Sequence, residues 1–240
     1  MRNIHVISVV VFNFLFFINT EAASFSSICK IEDSGCVKKA AQDFLPIFAA
    51  GVPEWGVEQC DPLHIKRIDA STPTLKLITE DLVITGLSKM IVKSIKFDEA
   101  AKTVVLKLQG NVKLDGQYKM KGNLMVLPIE GEGPLHVILR KLSFTIKAIY
   151  KELVKDGKTH WNFEYKDSNY ELKEKSDVLF ENLFNNNEAL ASAAKQTIAE
   201  NSNEIILEVG PKVIRGVIDH ILIRVNELFL ANPIDELRIK

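Results

Sequence analysis

Hydrophobic and polar side chains alternate along residues 104–126, for more than twenty positions. The even-numbered positions carry the apolar members of this run: Val104, Leu106, Leu108, Val112, Leu114, Tyr118, Met120, Leu124 and Val126. Between residues 107 and 123 the odd-numbered positions carry lysine, glutamine, asparagine or aspartate. A period of two with one apolar and one solvated face predicts a β-strand in an antiparallel sheet.

The dipeptide Asp115-Gly116 lies in the middle of this run and would suit a two-residue hairpin turn. Such a turn would invert the parity of the apolar face, whereas the parity continues unchanged. We therefore predict one long, bent strand, or a looser turn that contains a bulge. Gly110, Gly116 and Gly122 fall on the apolar parity, where a missing side chain lets a strand curve tightly. The pattern indicates a curved sheet that wraps around another element.

Five other segments are predicted as strands from the same kind of pattern: residues 75–84, 90–97, 135–150, 161–165 and 178–184. In the third of these the apolar parity slips near Arg140-Lys141, as it does at a β-bulge.

Helical periodicity occurs before and after the predicted strands. Residues 36–50 carry an apolar stripe, with Ser34 as the predicted N-cap and Pro46 as a kink or restart. Residues 187–230 carry a second stripe, which Gly210-Pro211 should kink or restart. Beyond that point the apolar positions cover a wide arc, so this helix needs cover on most sides. The order of elements predicts an α+β domain in which an antiparallel sheet packs with a long C-terminal helix.

The N-terminal residues have the layout of a secretory signal peptide. Arg2 precedes an almost wholly apolar run over residues 4–18, and Thr20 and Ala22 form a small-residue cleavage site. We expect cleavage after Ala22, with Ala23 as the second choice. The alternative is a signal anchor, but the run is shorter than the roughly twenty residues that a membrane span needs. The sequence therefore predicts a signal peptide over residues 1–22 and a secreted product without integral membrane association.

Composition excludes several classes of protein. The 240 residues are 47% apolar and 25% charged, with 30 lysines and arginines against 31 aspartates and glutamates. A chain so apolar and so balanced is not disordered, and its net charge of −1 gives no reason to expect a nucleic-acid partner. The length suits one domain, which we expect over residues 23–240.

The three cysteines have different expected fates. Cys29 and Cys36 flank the turn-forming residues Asp33, Ser34 and Gly35, so we expect them to form a disulfide in an exported protein. Cys60 is left over, either as a buried, unpaired thiol or as one half of a disulfide between two chains. No histidine stands in a recognisable motif with it, so a catalytic thiol is the least favoured reading.

The search for catalytic motifs finds none. The sequence contains no Gly-x-Ser-x-Gly, His-Glu-x-x-His or Cys-x-x-Cys motif. Gly131-Glu132-Gly133-Pro134 lacks the helix N-terminus that a phosphate loop requires. The histidines after the signal segment are His64, His136, His160 and His220, and no two of them share a metal-ligand spacing. We expect a non-catalytic protein with no metal and no cofactor.

The inward parity of the predicted strands is rich in large side chains, namely Tyr118, Met120, Phe144, Tyr150, Trp161 and Phe163. These residues would form either an ordinary core or the wall of a cavity. Methionine adapts to irregular ligands, and tyrosine adds a polar atom to an apolar pocket. Composition alone does not separate the two interpretations.

Several short motifs follow one another in a set order. They are Cys29 to Cys36, Leu45-Pro46, residues 51–57 (GVPEWGV), Asp61-Pro62-Leu63, Gly86-Leu87-Ser88, residues 92–97 (VKSIKF), 116–122 (GQYKMKG) and 127–134 (LPIEGEGP), residues 181–185 (ENLFN), Pro211, and residues 233–237 (PIDEL). Together, their order and spacing resemble those of the insect juvenile hormone binding protein and takeout family. The resemblance covers essentially the whole chain after the signal segment.

The resemblance implies a tubular lipid-binding (TULIP-like) fold, a strongly curved antiparallel sheet wrapped around a long C-terminal helix. It also implies an internal tunnel for an elongated apolar ligand, and secretion into haemolymph or sensory fluid. No cysteine follows Cys60, so the second disulfide of moth juvenile hormone carriers has no counterpart, and the takeout branch is the closer likeness.

These observations predict a secreted, non-catalytic carrier of a small hydrophobic ligand such as a juvenile-hormone-like terpenoid, a fatty acid or a related lipid. The chain is expected to be a monomer. The predicted tunnel residues are Phe44, Phe48 and Trp55 near one mouth, and Tyr118, Met120, Phe144, Trp161 and Phe163 on the wall. The alternative is a secreted interaction module that binds a receptor or membrane surface and has a filled core. An enzyme acting on a lipid is a third, weaker interpretation.

Overall fold

The computed structural model describes residues 29–237. The predicted signal peptide, residues 1–22, lies outside this range. The helices are α1 (Ser34–Ala50), α2 (Glu188–Glu200), α3 (Ser202–Ala231) and α4 (Ile234–Leu237). The strands are β1 (Leu63–Asp69), β2 (Leu75–Thr85), β3 (Ile91–Asp98), β4 (Thr103–Leu124), β5 (Leu127–Lys155), β6 (Lys158–Leu172) and β7 (Asp177–Phe180). Short 3₁₀ turns occur at Pro53–Trp55, Leu87–Lys89 and Phe184–Asn186.

The seven strands form one antiparallel sheet around a long central ladder between β4 and β5. That ladder runs from the pair Thr103 and Ile149 to the pair Leu124 and Leu127. The outer edge of β4 is covered by β3 along one half and by β2 along the other. The outer edge of β5 is likewise shared, with β7 pairing along its earlier part and β6 along its later part. β1 then pairs with β2, so the order along the main path is β1-β2-β4-β5-β6.

The predicted single long strand is confirmed. β4 runs for 22 residues without a turn at Asp115-Gly116. At Gly116 the neighbouring strand comes unusually close, because an added Cβ would lie 2.8 Å from Leu82 Cδ2 and 2.9 Å from the carbonyl oxygen of Glu80. The register of β2 shifts between Glu80 and Val83 at this position, which bends the sheet. Curvature therefore arises where the glycine permits close approach.

The predicted bulge near Arg140-Lys141 is also present. Gly110 pairs with Leu142 and Val112 pairs with Leu139, so β5 holds one residue more than β4 in this interval. Lys141 has a positive φ of 46°, and its N–H donates to Oδ1 of Asn111 at 2.7 Å. The bulge removes the N–H of Lys141 from the ladder, and the Asn111 side chain on β4 accepts its hydrogen bond instead.

The helices differ from the sequence prediction at their ends. Asp33, not Ser34, caps α1, because its Oδ1 accepts hydrogen bonds from the backbone N–H groups of Gly35 (3.1 Å) and Cys36 (3.0 Å). Pro46 lies within α1, which continues through it. The disulfide between Cys29 and Cys36 joins the segment before α1 to the first turn of the helix, with the two Cα atoms 5.7 Å apart.

The C-terminal helical region breaks ten residues earlier than the Gly210-Pro211 pair predicted. Asn201 ends α2 by donating its N–H to the carbonyl of Thr197, and its own carbonyl accepts the N–H of Ile205 at the start of α3. Pro211 is contained within the 30-residue α3. Proline has no N–H to donate to the carbonyl of Leu207, four residues earlier, and both residues are exposed. Strand β1 was not predicted individually, although Leu63 and Ile65 alternate with polar neighbours.

Candidate hydrophobic ligand cavity

An internal cavity of about 420 Å³ lies between α1, the concave face of the sheet and α3. Its wall is built from apolar side chains of these three layers, with residues from β2 to β6 on the sheet side. Within the described part of the chain, no Asp, Glu, Lys or Arg side chain lines it. The interior over this region is therefore not a filled core, and its chemistry suits a hydrophobic guest.

The cavity is elongated because β4 runs along it. Alternate residues of this strand line the wall, namely Val104, Leu106, Leu108, Val112 and Leu114. The ten steps from Val104 to Leu114 span a contour of about 33 Å at the usual rise per residue. On the neighbouring strand the lining extends from Leu139 to Ala148, past the bulge. The same alternation that predicted the strand therefore produces a long apolar wall.

Helix α3 closes the opposite side with a broad apolar face. In each of three successive turns of α3, two adjacent residues line the cavity: Val213 and Ile214, Val217 and Ile218, and Ile221 and Leu222. This wide arc is the feature that the sequence predicted for a helix surrounded by a curved sheet. Near its C-terminal end the helix is anchored by His160, whose Nδ1 donates to the carbonyl of Phe229 at 3.1 Å. Because His160 is buried, this bond connects β6 to the helix inside the protein.

Helix α1 covers the cavity along β3. Phe44 and Phe48 are both buried and both line the wall. The side chain of Gln42 ties this helix to the sheet, since its Oε1 accepts the N–H of Val92 at 2.7 Å and its Nε2 donates to the carbonyl of Met90 at 3.3 Å. These bonds supply a fixed position for the aromatic rings that α1 presents to the interior.

Cys60 lies on the same wall as a free, buried thiol. It is 2% exposed, and its Sγ is 4.0 Å from the carbonyl oxygen of Phe48. Burial, together with the negative charge of Asp61, raises the pKa of this thiol to about 11, although Arg224 opposes the shift. The group therefore stays protonated at neutral pH and is a poor nucleophile. Of the two fates considered for Cys60, this burial favours the unpaired thiol, because a bridge between chains would need the sulfur at the surface.

Five of the eight predicted tunnel residues line the cavity: Phe44, Phe48, Phe144, Trp161 and Phe163. Trp55 does not reach the wall. It is half-buried on a 3₁₀ turn behind Phe44, with the two rings stacked at 5.9 Å and an angle of 30°. Trp55 therefore packs against Phe44 and supports it, without lining the cavity itself.

Tyr118 and Met120 also lie away from the cavity, although both have the inward parity. Tyr118 is 1% exposed, its hydroxyl donates to the carbonyl of Glu181 at 2.5 Å, and its ring meets that of Phe180 at 4.8 Å. Met120 is buried in the same part of the core. Here β7 and the segment after it cover the inner face, so the side chains pack against each other. Burial raises the pKa of Tyr118 to about 12, so its hydroxyl remains a hydrogen-bond donor.

Two aromatic wall residues were not proposed as site residues from the sequence. Phe97 ends a predicted strand, and Phe229 belongs to the predicted helical stripe, but both line the cavity. Their types and positions were visible in the sequence. Their convergence depends on how β3 and α3 meet across the interior, which no local pattern specifies.

Among the described residues, the histidine and acidic side chains do not gather at the cavity. His136 lies outside it, with Nδ1 2.7 Å from Asp115 Oδ1 and Nε2 3.4 Å from Glu181 Oε1. Across residues 29–237, no group of three or more histidine, cysteine, aspartate or glutamate side chains is arranged to hold a metal ion. In the same range no helix combines the length and apolarity required to cross a bilayer.

Comparison with known proteins gives a consistent result. The family model described as haemolymph juvenile hormone binding protein matches residues 7–238. The circadian clock-controlled protein daywake of Drosophila melanogaster is 27% identical over 223 residues, which are 87% of this chain and 85% of daywake. The juvenile hormone-binding protein of Manduca sexta is 34% identical over 87 residues, which are 35% of this chain and 38% of that protein.

A solved structure confirms the fold class expected from the sequence. The crystal structure of Takeout 1 from Epiphyas postvittana matches with a TM-score of 0.84 at 24% identity, covering 89% of this chain and 99% of that one. The two chains therefore share the strongly curved antiparallel sheet with the long C-terminal helix along its concave side.

Proposed function

The chain belongs to the haemolymph juvenile hormone binding protein family, and we propose that it is a secreted, non-catalytic carrier of a small hydrophobic ligand. The observation that carries this proposal is the apolar cavity of about 420 Å³ between α1, the sheet and α3. Packed at the density of a protein interior, that volume suits roughly fifteen to twenty carbon atoms. A terpenoid, a fatty acid or a related lipid of this size would fit.

Binding would be driven by removal of apolar surface from water. A ligand that buries about 400 Å² of apolar surface gains about 10–13 kcal/mol in gross terms. Loss of translational and rotational freedom of the ligand offsets at least about 4 kcal/mol of this gain. The remainder corresponds to a Kd between tens of micromolar and just below one micromolar. A preformed wall keeps the ordering cost low, because helix α1 is already held to β3 by Gln42.

Secretion is supported by two features of the chain. The first 22 residues have the layout of a signal peptide, and Cys29 and Cys36 form a disulfide just after it. Disulfides persist in oxidising compartments and are rare in the cytosol. A carrier that moves a poorly soluble lipid through an extracellular fluid would need both export and a closed apolar interior.

The cavity also supports one of the two interpretations that the sequence left open. An interaction module with a filled core would have side chains packed across the interior, as they are around Tyr118 and Phe180. Between Val104 and Leu114 the inner face of β4 instead borders the cavity. This region favours a carrier.

Native mass spectrometry of the secreted protein tests the proposal. We expect a bound mass of a few hundred daltons that is lost on denaturation, or, for a bare chain, uptake of at least one member of a panel of isoprenoids and fatty acids. Failure of the whole panel to bind would contradict the carrier function. A repeat with reductant reports whether any dimer is disulfide-linked.

A further inference from the structure

Five aromatic rings meet at one end of the cavity: Phe97 of β3, Tyr150 of β5, Trp161 and Phe163 of β6, and Phe229 of α3. We call this group the aromatic end. Phe97 lies 5.5 Å from Trp161 in a nearly parallel arrangement, and Phe163 lies 4.8 Å from Phe229 at 55°. All of these residues except Tyr150 line the cavity, and Tyr150 supports them from behind.

The register of the sheet explains why these rings converge. Phe97 pairs with Val104, which pairs with Ala148, and Tyr150 pairs with Phe163. The strands therefore bring their aromatic residues to the same level of the sheet, and α3 adds Phe229 from the opposite side. Towards the other end, the sheet wall is aliphatic and consists of Ile84, Val112, Leu114 and Leu139. Helix α1 adds the rings of Phe44 and Phe48 to the wall, and Phe48 lies close to Cys60.

The rings of the aromatic end meet one another both edge to face and nearly parallel. The ring planes of Trp161 and Phe163 are inclined by 78°, whereas those of Phe97 and Trp161 are inclined by only 26°. The quadrupole of an aromatic ring favours a second planar π-system that contacts its face edge-on or stacks on it with an offset. A saturated group of the same size also gains free energy from burial, but it does not make this quadrupolar contact.

We propose that the aromatic end selects ligands whose terminal segment carries a planar π-system, and that it orients them with that segment against the rings of Phe97, Trp161 and Phe229. The inference rests on the proposed carrier function, because it assigns a ligand class to the same cavity. The aliphatic sheet wall then holds the remaining chain of the ligand.

A pair of matched probes tests the selection. One probe is octanol that carries a phenyl ring on its last carbon, and the other carries a cyclohexyl ring in its place. Both are measured by displacement of an apolar fluorescent dye from the secreted, delipidated chain. We expect the phenyl probe to bind about three- to tenfold more tightly, as one or two aromatic contacts would produce.

Three variants locate the preference. Phe97→Leu and Phe229→Leu remove a ring from the aromatic end, and we expect each to reduce the preference to less than twofold. Phe144→Leu is the matched control, because Phe144 lines the cavity but is not one of the five clustered rings. It should keep the preference of the unmodified chain. Thermal unfolding of each variant confirms that a folded protein is compared.

The outcomes separate this inference from the carrier function. Equal affinity of the two probes in the unmodified chain would overturn the inference and leave the carrier function intact. A preference that survives both Phe97→Leu and Phe229→Leu, or that Phe144→Leu abolishes equally, would also overturn it. Failure of both probes and of the dye to bind would instead count against the carrier function itself.

Discussion

The side-chain amide of Asn226 forms hydrogen bonds with both backbone groups of Phe163. The N–H of Phe163 donates to Asn226 Oδ1 at 2.7 Å, and Asn226 Nδ2 donates to the Phe163 carbonyl at 2.9 Å. β6 is an edge strand, so the amide from α3 takes the place that a further strand would occupy. The side chain of Phe163 lines the cavity, and this pair therefore joins the helix to the cavity wall.

Replacement of Asn226 should destabilise the fold at this junction. In Asn226→Ala the N–H and carbonyl of Phe163 lose their partner in a half-buried position, which should lower the free energy of unfolding by about 1–2 kcal/mol. Urea denaturation measures the change. Asn169→Ala is the control, because Asn169 lies exposed on the same strand and its loss should cost less than about 0.5 kcal/mol. Equal effects of the two substitutions would show that the Asn226 pair contributes no special stability.

Truncation of the wall should weaken ligand binding, whereas truncation of the filled core should not. We expect Trp161→Ala to reduce the affinity for an apolar fluorescent probe about tenfold, because it removes a large part of the contact surface. Met120→Ala, in the filled region, should leave that affinity within about twofold while it lowers stability by roughly 2–5 kcal/mol. Displacement titrations on variants with native circular dichroism report the difference. Loss of binding in Met120→Ala alone would contradict this division of the interior.

A neutral lipid should bind more tightly than its ionised counterpart. No charged side chain among the described residues lines the cavity, so a carboxylate held inside would lose its hydration without a partner. We expect the methyl ester of a C16 fatty acid to bind at least about tenfold more tightly than the acid at neutral pH. Calorimetry or dye displacement compares them. Equal affinities would contradict this expectation.

The Cys60 thiol should resist modification in the folded protein. Its pKa of about 11 leaves roughly one molecule in a thousand as thiolate at pH 8, and the sulfur is also inaccessible. We expect one thiol per chain to react with Ellman's reagent only after unfolding, since Cys29 and Cys36 are joined. Raising the pH towards 11 should speed the reaction. Rapid labelling of the native chain at pH 8 would show that Cys60 reaches the solvent.

Local patterns in the sequence determined the elements and much of their geometry. The alternation over residues 104–126 predicted β4 as one strand, and the parity slip at Arg140-Lys141 predicted the bulge in β5. Both follow from the fixed period of side chains along a strand, which a sequence displays directly. The wide apolar arc after Pro211 likewise predicted a helix covered on most sides. Helix boundaries were less predictable, because Asn201 and Asp33 act through specific hydrogen bonds.

The tertiary structure alone decided which inward residues face the cavity. Phe144 and Tyr118 have the same inward orientation and similar size, yet one lines the cavity and the other packs against Phe180. Parity states only which face of the sheet a residue occupies. Whether that face borders a cavity or a filled core depends on what covers it, here α1 and α3 at one end and β7 at the other. Those contacts join residues far apart in the chain, so no local pattern of the sequence contains them.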